Sequence, residues 1–162
     1  MTKSIASKKN GLRKRQKQYP WSVVSVYLFE GCQPSTLRAR RFSEKRLRSI
    51  WKDVGNPDRA DLLRALENQV ASIYAMKVAT AGYTAVGQFV KIYDNWAMTI
   101  VIPIEESAIC FYTRPEVGKA ELVIHYCNHK KNNAKKSAAI LKAFIKEFRP
   151  RKVRHLVKKD IE

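Results

Sequence analysis

Cysteine is scarce in this chain. Cys32, Cys110 and Cys127 are three, an odd number and too few for a disulfide framework, so reduced thiols are expected. No run of 18 apolar residues occurs, and the N-terminus lacks the apolar stretch of a signal peptide, so the expected setting is cytoplasmic or otherwise intracellular, without a membrane partner. No Gly-rich loop suited to cradling phosphate is present. Paired carboxylates for metal-assisted phosphodiester chemistry are missing too: Glu105 and Glu106 read as a turn, and Asp58 and Asp61 as a helix start. No cofactor and no metal site are expected.

What the chain has in excess is positive charge. Of 162 residues, 32 are Lys or Arg against 14 Asp or Glu, a net charge of +18. Such an excess is balanced by a polyanion or tolerated as self-repulsion. Residues 1–18 carry seven basic side chains and no acid, and residues 129–162 carry twelve against three. Residues 35–52 add seven against one, which leaves the rest of the middle net negative. Hydrophobic residues make up 45% of the chain and aromatics 10%, enough for one folded core.

Hydrophobic period divides the chain into a basic flexible arm at 1–18, a single α+β domain at 19–150 and a basic tail at 151–162. "WSVVSVYLFEG" reads as a buried strand, and "STLRARRF" as either a returning strand or a helix start. Ser43 caps an expected helix with apolar positions Leu47, Ile50, Trp51 and Val54. Asn56 and Pro57 open a second helix that carries Leu63, Leu66, Val70 and Ile73 toward Gly82. Four strands follow, "VGQFVKIY", "WAMTIVIPI", "AICFYT" and "AELVIHYC", with Asp94 and Asn95 suited to a two-residue hairpin turn. A last helix spans about 132–148, with Ala134, Ala138, Leu141, Ile145 and Phe148 expected inward. The expected fold is thus α+β: two consecutive helices and a C-terminal helix packed on an antiparallel sheet of about four to five strands.

Three constellations carry candidate chemistry. Lys135, Lys142, Lys146 and Arg149 lie on one ridge of the last helix, a spacing suited to successive phosphates. Arg38, Arg40, Arg41, Lys45 and Arg48 form a second patch, where guanidinium groups suit bidentate phosphate contacts. In "VIHYCNH", strand alternation puts His125, Cys127 and His129 on one side. That cluster reads as a surface group at the end of a strand, as zinc ligands with Cys110 approaching, or as acid-base groups for RNA cleavage with Lys130 or Lys131 steadying the phosphate. Among the strand aromatics, Tyr112 and Tyr126 are the first candidates for an exposed stacking platform.

Two stretches bear a family likeness. "IHYCNHKKNNAKKSAAILKAFIKEF", after a strand, two helices and a sheet, resembles the last strand and C-terminal segment of RelE-superfamily toxin endoribonucleases; that resemblance implies His125, His129, Lys130 and Lys131 as catalytic candidates. "KKNNAKKSAAILKAF" is similar to the start of the final helix in double-stranded-RNA-binding domains, which implies Lys130, Lys131 and Lys135 on phosphates. The expectation drawn from the whole is a non-enzymatic nucleic-acid-binding protein, RNA favoured over DNA. A metal-independent endoribonuclease is the alternative, and a ribonucleoprotein or capsid component the third reading. A homo-oligomer is a candidate assembly.

Overall fold

The strong β-formers of the sequence lie in a sheet six strands wide. The computed structural model describes residues 22–42, 59–105, 107–128 and 132–161. The strands are β1 (Ser22–Glu30), β2 (Phe89–Ile92), β3 (Met98–Ile104), β4 (Ser107–Arg114), β5 (Lys119–Cys127) and β6 (Lys152–Ile161). All pairings are antiparallel, in the order β2-β3-β4-β5-β1-β6. Three α-helices are described: α1 (Pro34–Leu37), α2 (Arg59–Thr80) and α3 (Ala134–Phe148). The α+β class is as expected from the sequence. The arm at 1–18 and the helix expected from Ser43 lie outside the described residues.

Period-two alternation tells which face is covered. Met98, Ile100, Ile102 and Ile104 of β3, Ile109 and Phe111 of β4, and Ala120, Leu122, Ile124 and Tyr126 of β5 are all buried, while the residues between them are partly or largely exposed. Helices α2 and α3 both lie on the buried side. Phe111 is their common anchor: its ring lies 4.7 Å from Phe144 and 4.5 Å from Phe148 of α3, and 6.4 Å from Tyr74 of α2. Edge-to-face and tilted rings at these separations gain beyond the area they bury. The other sheet face carries no helix among the described residues.

Three expectations are corrected and one open reading is settled. The basic "tail" is β6, paired with β1 along its length, which brings the strand count to six among the described residues. The segment "STLRARRF" is α1 followed by a 3-10 helix, Ala39–Phe42, and not a strand. The β2–β3 connection is longer than a two-residue turn: Tyr93 and Ala97 bond across a loop in which Trp96 takes the left-handed conformation at φ 65°. Asn95 Oδ1 accepts from the Ala97 amide, and the half-buried Trp96 ring packs against the core, which offsets the cost of a positive φ in a bulky residue. Finally, α3 buries Ser137, Ile140, Phe144 and Phe148, so Ala134, Ala138 and Ile145 point outward. The two phenylalanines, being the largest apolar groups on the helix, set its rotation against Phe111.

The rotation of α3 is tested by truncation. Phe111→Ala should lower unfolding free energy by about 3–5 kcal/mol, because the cavity opens beneath both helices. Ile145→Ala should change it by no more than about 0.5 kcal/mol. Urea midpoints for the two variants give the ranking, and the reverse order would place the wrong face of α3 inward.

Candidate active site

Reactive side chains gather at one end of β1, β4 and β5, with Ser22, His125 and Cys127 on the uncovered face and Ser107 beside them at the strand end. In an antiparallel pair, residues directly opposite share a face. Ser22 lies opposite Cys127, and Val24 and Ala108 both lie opposite His125. Ser107, first residue of β4, donates to Cys127 Sγ at 3.4 Å. His125 Nε2 and Ser22 Oγ are 2.6 Å apart, with the donor set by the imidazole tautomer. Ser22 is buried, whereas Ser107, His125 and Cys127 are half-buried. A hydroxyl, a thiol and a second hydroxyl on an imidazole thus line one corner, reachable from solvent yet anchored in a sheet.

The chain just beyond β5 is fixed by amide side chains. Asn133 Nδ2 donates to the Cys127 carbonyl at 2.5 Å, and the Asn133 amide donates to Asn128 Oδ1 at 2.8 Å. These bonds tie the entry of α3 to the residue bearing the thiol, so Cys127 is held from both sides of the loop. Elsewhere on the open face, Cys110 lies opposite Val123, and Tyr112 lies between Thr99 and Glu121. Burial pushes the Cys110 thiol up, and burial with the neighbouring Cys110 pushes the Tyr112 phenol up, so both side chains stay protonated near neutral pH.

Of the residues marked from the sequence, His125 and Cys127 do share a face. His129, Lys130, Lys131, Lys45 and Arg48 lie outside the described residues. Cys110 is separated from Ser107 and Cys127 along β4, and no cluster of three or more His, Cys, Asp or Glu that could hold a metal is found among the described residues. Lys135, Lys142, Lys146 and Arg149 are all exposed, as is Arg38. Arg41 is not part of a surface patch. Its guanidinium turns inward, bonds Glu147 and the Tyr74 hydroxyl, and lies 4.8 Å over the Phe148 ring. Arg40 belongs to the same 3-10 helix. Tyr112 is partly exposed, but Tyr126 is buried beneath the helices and offers no stacking surface. Sequence reasoning does not single out Ser107 or Ser22: Ser107 follows two glutamates in what reads as a turn, and only the folded strand end brings its hydroxyl to Cys127.

Comparison with known proteins decides the class. No family model matches the chain. Over 95 residues it is 33% identical to the S-adenosylmethionine decarboxylase proenzyme of Archaeoglobus fulgidus, spanning 59% of this chain and 81% of that protein. Its fold matches the crystal structure of the adenosylmethionine decarboxylase from Aquifex aeolicus with a TM-score of 0.59 at 13% identity, over 89% of this chain and 92% of the other. These findings overturn the expectation of a nucleic-acid binder, together with the endoribonuclease and the ribonucleoprotein or capsid readings. The expectation against an enzyme falls with them, since charge excess reports on solubility and encounter, not on fold or chemistry. With a third of the aligned residues identical over four fifths of the archaeal protein, this chain belongs to the S-adenosylmethionine decarboxylase family.

Proposed function

We propose that the chain decarboxylates S-adenosylmethionine at the Ser107–Cys127 corner after maturing from a precursor. The observation that carries this reading is the 33% identity to a protein whose own name describes both the reaction and a proenzyme. Loss of carbon dioxide from an α-amino acid leaves an electron pair on the α-carbon. That pair needs a sink while the bond breaks and a proton afterwards. Side chains of the ordinary kinds supply the proton and not the sink. A carbonyl generated from the chain at Ser107 would supply it.

Ser107 fits such a maturation. Its hydroxyl is half-buried, stands at the first position of β4 beside the Cys127 thiol, and follows Glu106 in sequence. A serine Oγ can attack the carbonyl carbon of the preceding residue, moving the acyl group from nitrogen to oxygen. Elimination of the resulting ester releases the Glu106 carboxylate, and hydrolysis then expels ammonia and leaves a carbonyl at the new N-terminus. Cys127 fits the role of proton donor to the substrate α-carbon, because a thiol 3.4 Å from Ser107 Oγ lies within reach of a substrate joined there. The anchoring of Asn133 to the Cys127 carbonyl makes Asn133 a positioning residue for that thiol.

The open sheet face also supports a homo-oligomer. Phe89, Val101, Cys110, Val123 and Val26 stand in register across five strands on this face, with Phe89 55% exposed. A second copy seated there would cover this apolar row and shut bulk water from the reacting carbon. Light scattering should accordingly give a mass of at least two chains, and Phe89→Lys should shift it toward one.

Activity is tested with carboxyl-labelled S-adenosylmethionine and purified protein. Labelled carbon dioxide should be released, and intact mass should show a chain divided between residues 106 and 107. Ser107→Ala should abolish both. Cys127→Ala should leave the division intact and slow turnover by about 10²–10⁴-fold, the contribution typical of a positioned proton donor. Division without release of carbon dioxide from this substrate would point to another amino acid; release from an undivided chain would remove Ser107 from the chemistry.

A further inference from the structure

On the covered side of the sheet, the C-terminal ends of α2 and α3 meet at a cleft of about 690 Å³ whose walls are cationic. Arg41, Lys77, Lys146 and Arg149 line it, against the single carboxylate of Glu147. Glu147 is shared: its carboxylate accepts from Arg41 and from the Tyr74 hydroxyl at 2.9 Å, and pairs with Lys77 at 3.0 Å. Burial, with the Glu147 carboxylate adding to it, drives the Tyr74 phenol well above its ordinary range, so Tyr74 remains a donor. One negative charge therefore positions two cations. Arg41 and Lys77 are fixed further over the rings of Phe148 and Tyr74, at 4.8 and 5.8 Å. Lys146 and Arg149 form no ion pair among the described residues.

Charge counting narrows what the cleft accepts. Over the described lining residues, four cations and one carboxylate leave three positive charges, and the two helix C-termini subtract roughly half a charge each, for a remainder of about two. A phosphate monoester dianion matches that remainder. A bland account holds that Lys77, Lys146 and Arg149 merely complement the helix ends. That account leaves Arg149 unexplained: it sits in the left-handed conformation at φ 44°, capping α3 through its amide, where glycine is the unstrained choice. A second, more apolar cleft of about 310 Å³ continues from the first. It shares Lys77 and Ala143 with it and adds Ile73, Met76 and Thr80, with Met76 66% exposed.

We propose that this paired cleft binds a phosphate monoester carrying an apolar group, with the phosphate among Arg41, Lys77, Lys146 and Arg149 and the apolar group on the Ile73–Met76 shelf. The site lies across the sheet from His125 and Cys127 and does not rest on the decarboxylase reading. Lys146 and Arg149, read from the sequence as part of a phosphate-tracking ridge, here close the rim of a small-molecule site.

Phenyl phosphate, inorganic phosphate and phenol are the probes, titrated calorimetrically into the full-length protein and its variants. Phenyl phosphate is expected to bind at one site per chain, about tenfold or more tighter than inorganic phosphate, with phenol weaker than either. Arg149→Gly relieves the backbone at the cap, so its melting temperature should hold or rise while phenyl phosphate affinity falls about tenfold. Lys146→Gln should weaken binding of both phosphates, and Met76→Ser that of phenyl phosphate alone. Absence of saturable binding at millimolar concentration would overturn the proposal. So would unchanged affinity in both Arg149→Gly and Lys146→Gln, and equal affinity for the two phosphates would remove the apolar shelf.

Discussion

Phe111 stands at the centre of β4 and touches both long helices at once. Because Tyr74, Phe144 and Phe148 converge on this one ring, α2 and α3 are drawn to the same side of the sheet. The opposite side is left bare at its centre. Access to the reactive corner depends on that one-sidedness: Ser107 and Cys127 stay partly exposed, while their backbones are held by ladders to neighbouring strands. A site built on strands is positioned more tightly than one built on loops, and here the strand ends provide the approach.

The same convergence produces the second polar centre. Tyr74 and Phe148 bring with them the helix ends that carry Lys77, Glu147 and Arg149, and Arg41 arrives from the 3-10 helix beyond α1. Among the described residues Glu147 is the half-buried acid that stands between these cations, so its loss would bring the like charges of Arg41 and Lys77 to face each other there. Covered and open faces therefore hold distinct kinds of chemistry, an ionic cluster beneath the helices and neutral nucleophiles above the bare sheet.

The sequence announces those elements whose burial is one-sided. Alternation in "MTIVIPI" and "AELVIHYC" identifies β3 and β5 because one face of each is fully buried and the other is not. It also puts His125 and Cys127 together, as period two requires. β6 escapes notice for the same physical reason: an edge strand, exposed along nearly its whole length, has no face to mark, and the bulge between Val26 and Tyr27 breaks its register. Its stabilising contacts, the Tyr27–His155 stack and the Arg154–Glu30 ion pair, join residues more than a hundred positions apart. Ser107 is invisible for a related reason, since a serine acquires meaning only from the neighbour that another strand supplies. Charge is the loudest signal and misleads, because a net charge of +18 says nothing about which pair of uncharged groups meets on the open face.

β1, the first described strand, lies between β5 and β6, the last two. Were the chain opened between residues 106 and 107, β1, β2 and β3 would belong to one fragment and β4, β5 and β6 to the other. Neither fragment could leave without unzipping three ladders, β1 from both its neighbours and β3 from β4. A severed molecule would behave as an interlocked pair, its integrity kept by hydrogen-bonded ladders instead of a continuous backbone. Until residues 152–161 have been synthesised, moreover, β1 lacks one of its two partners, so completion of the sheet waits for that segment.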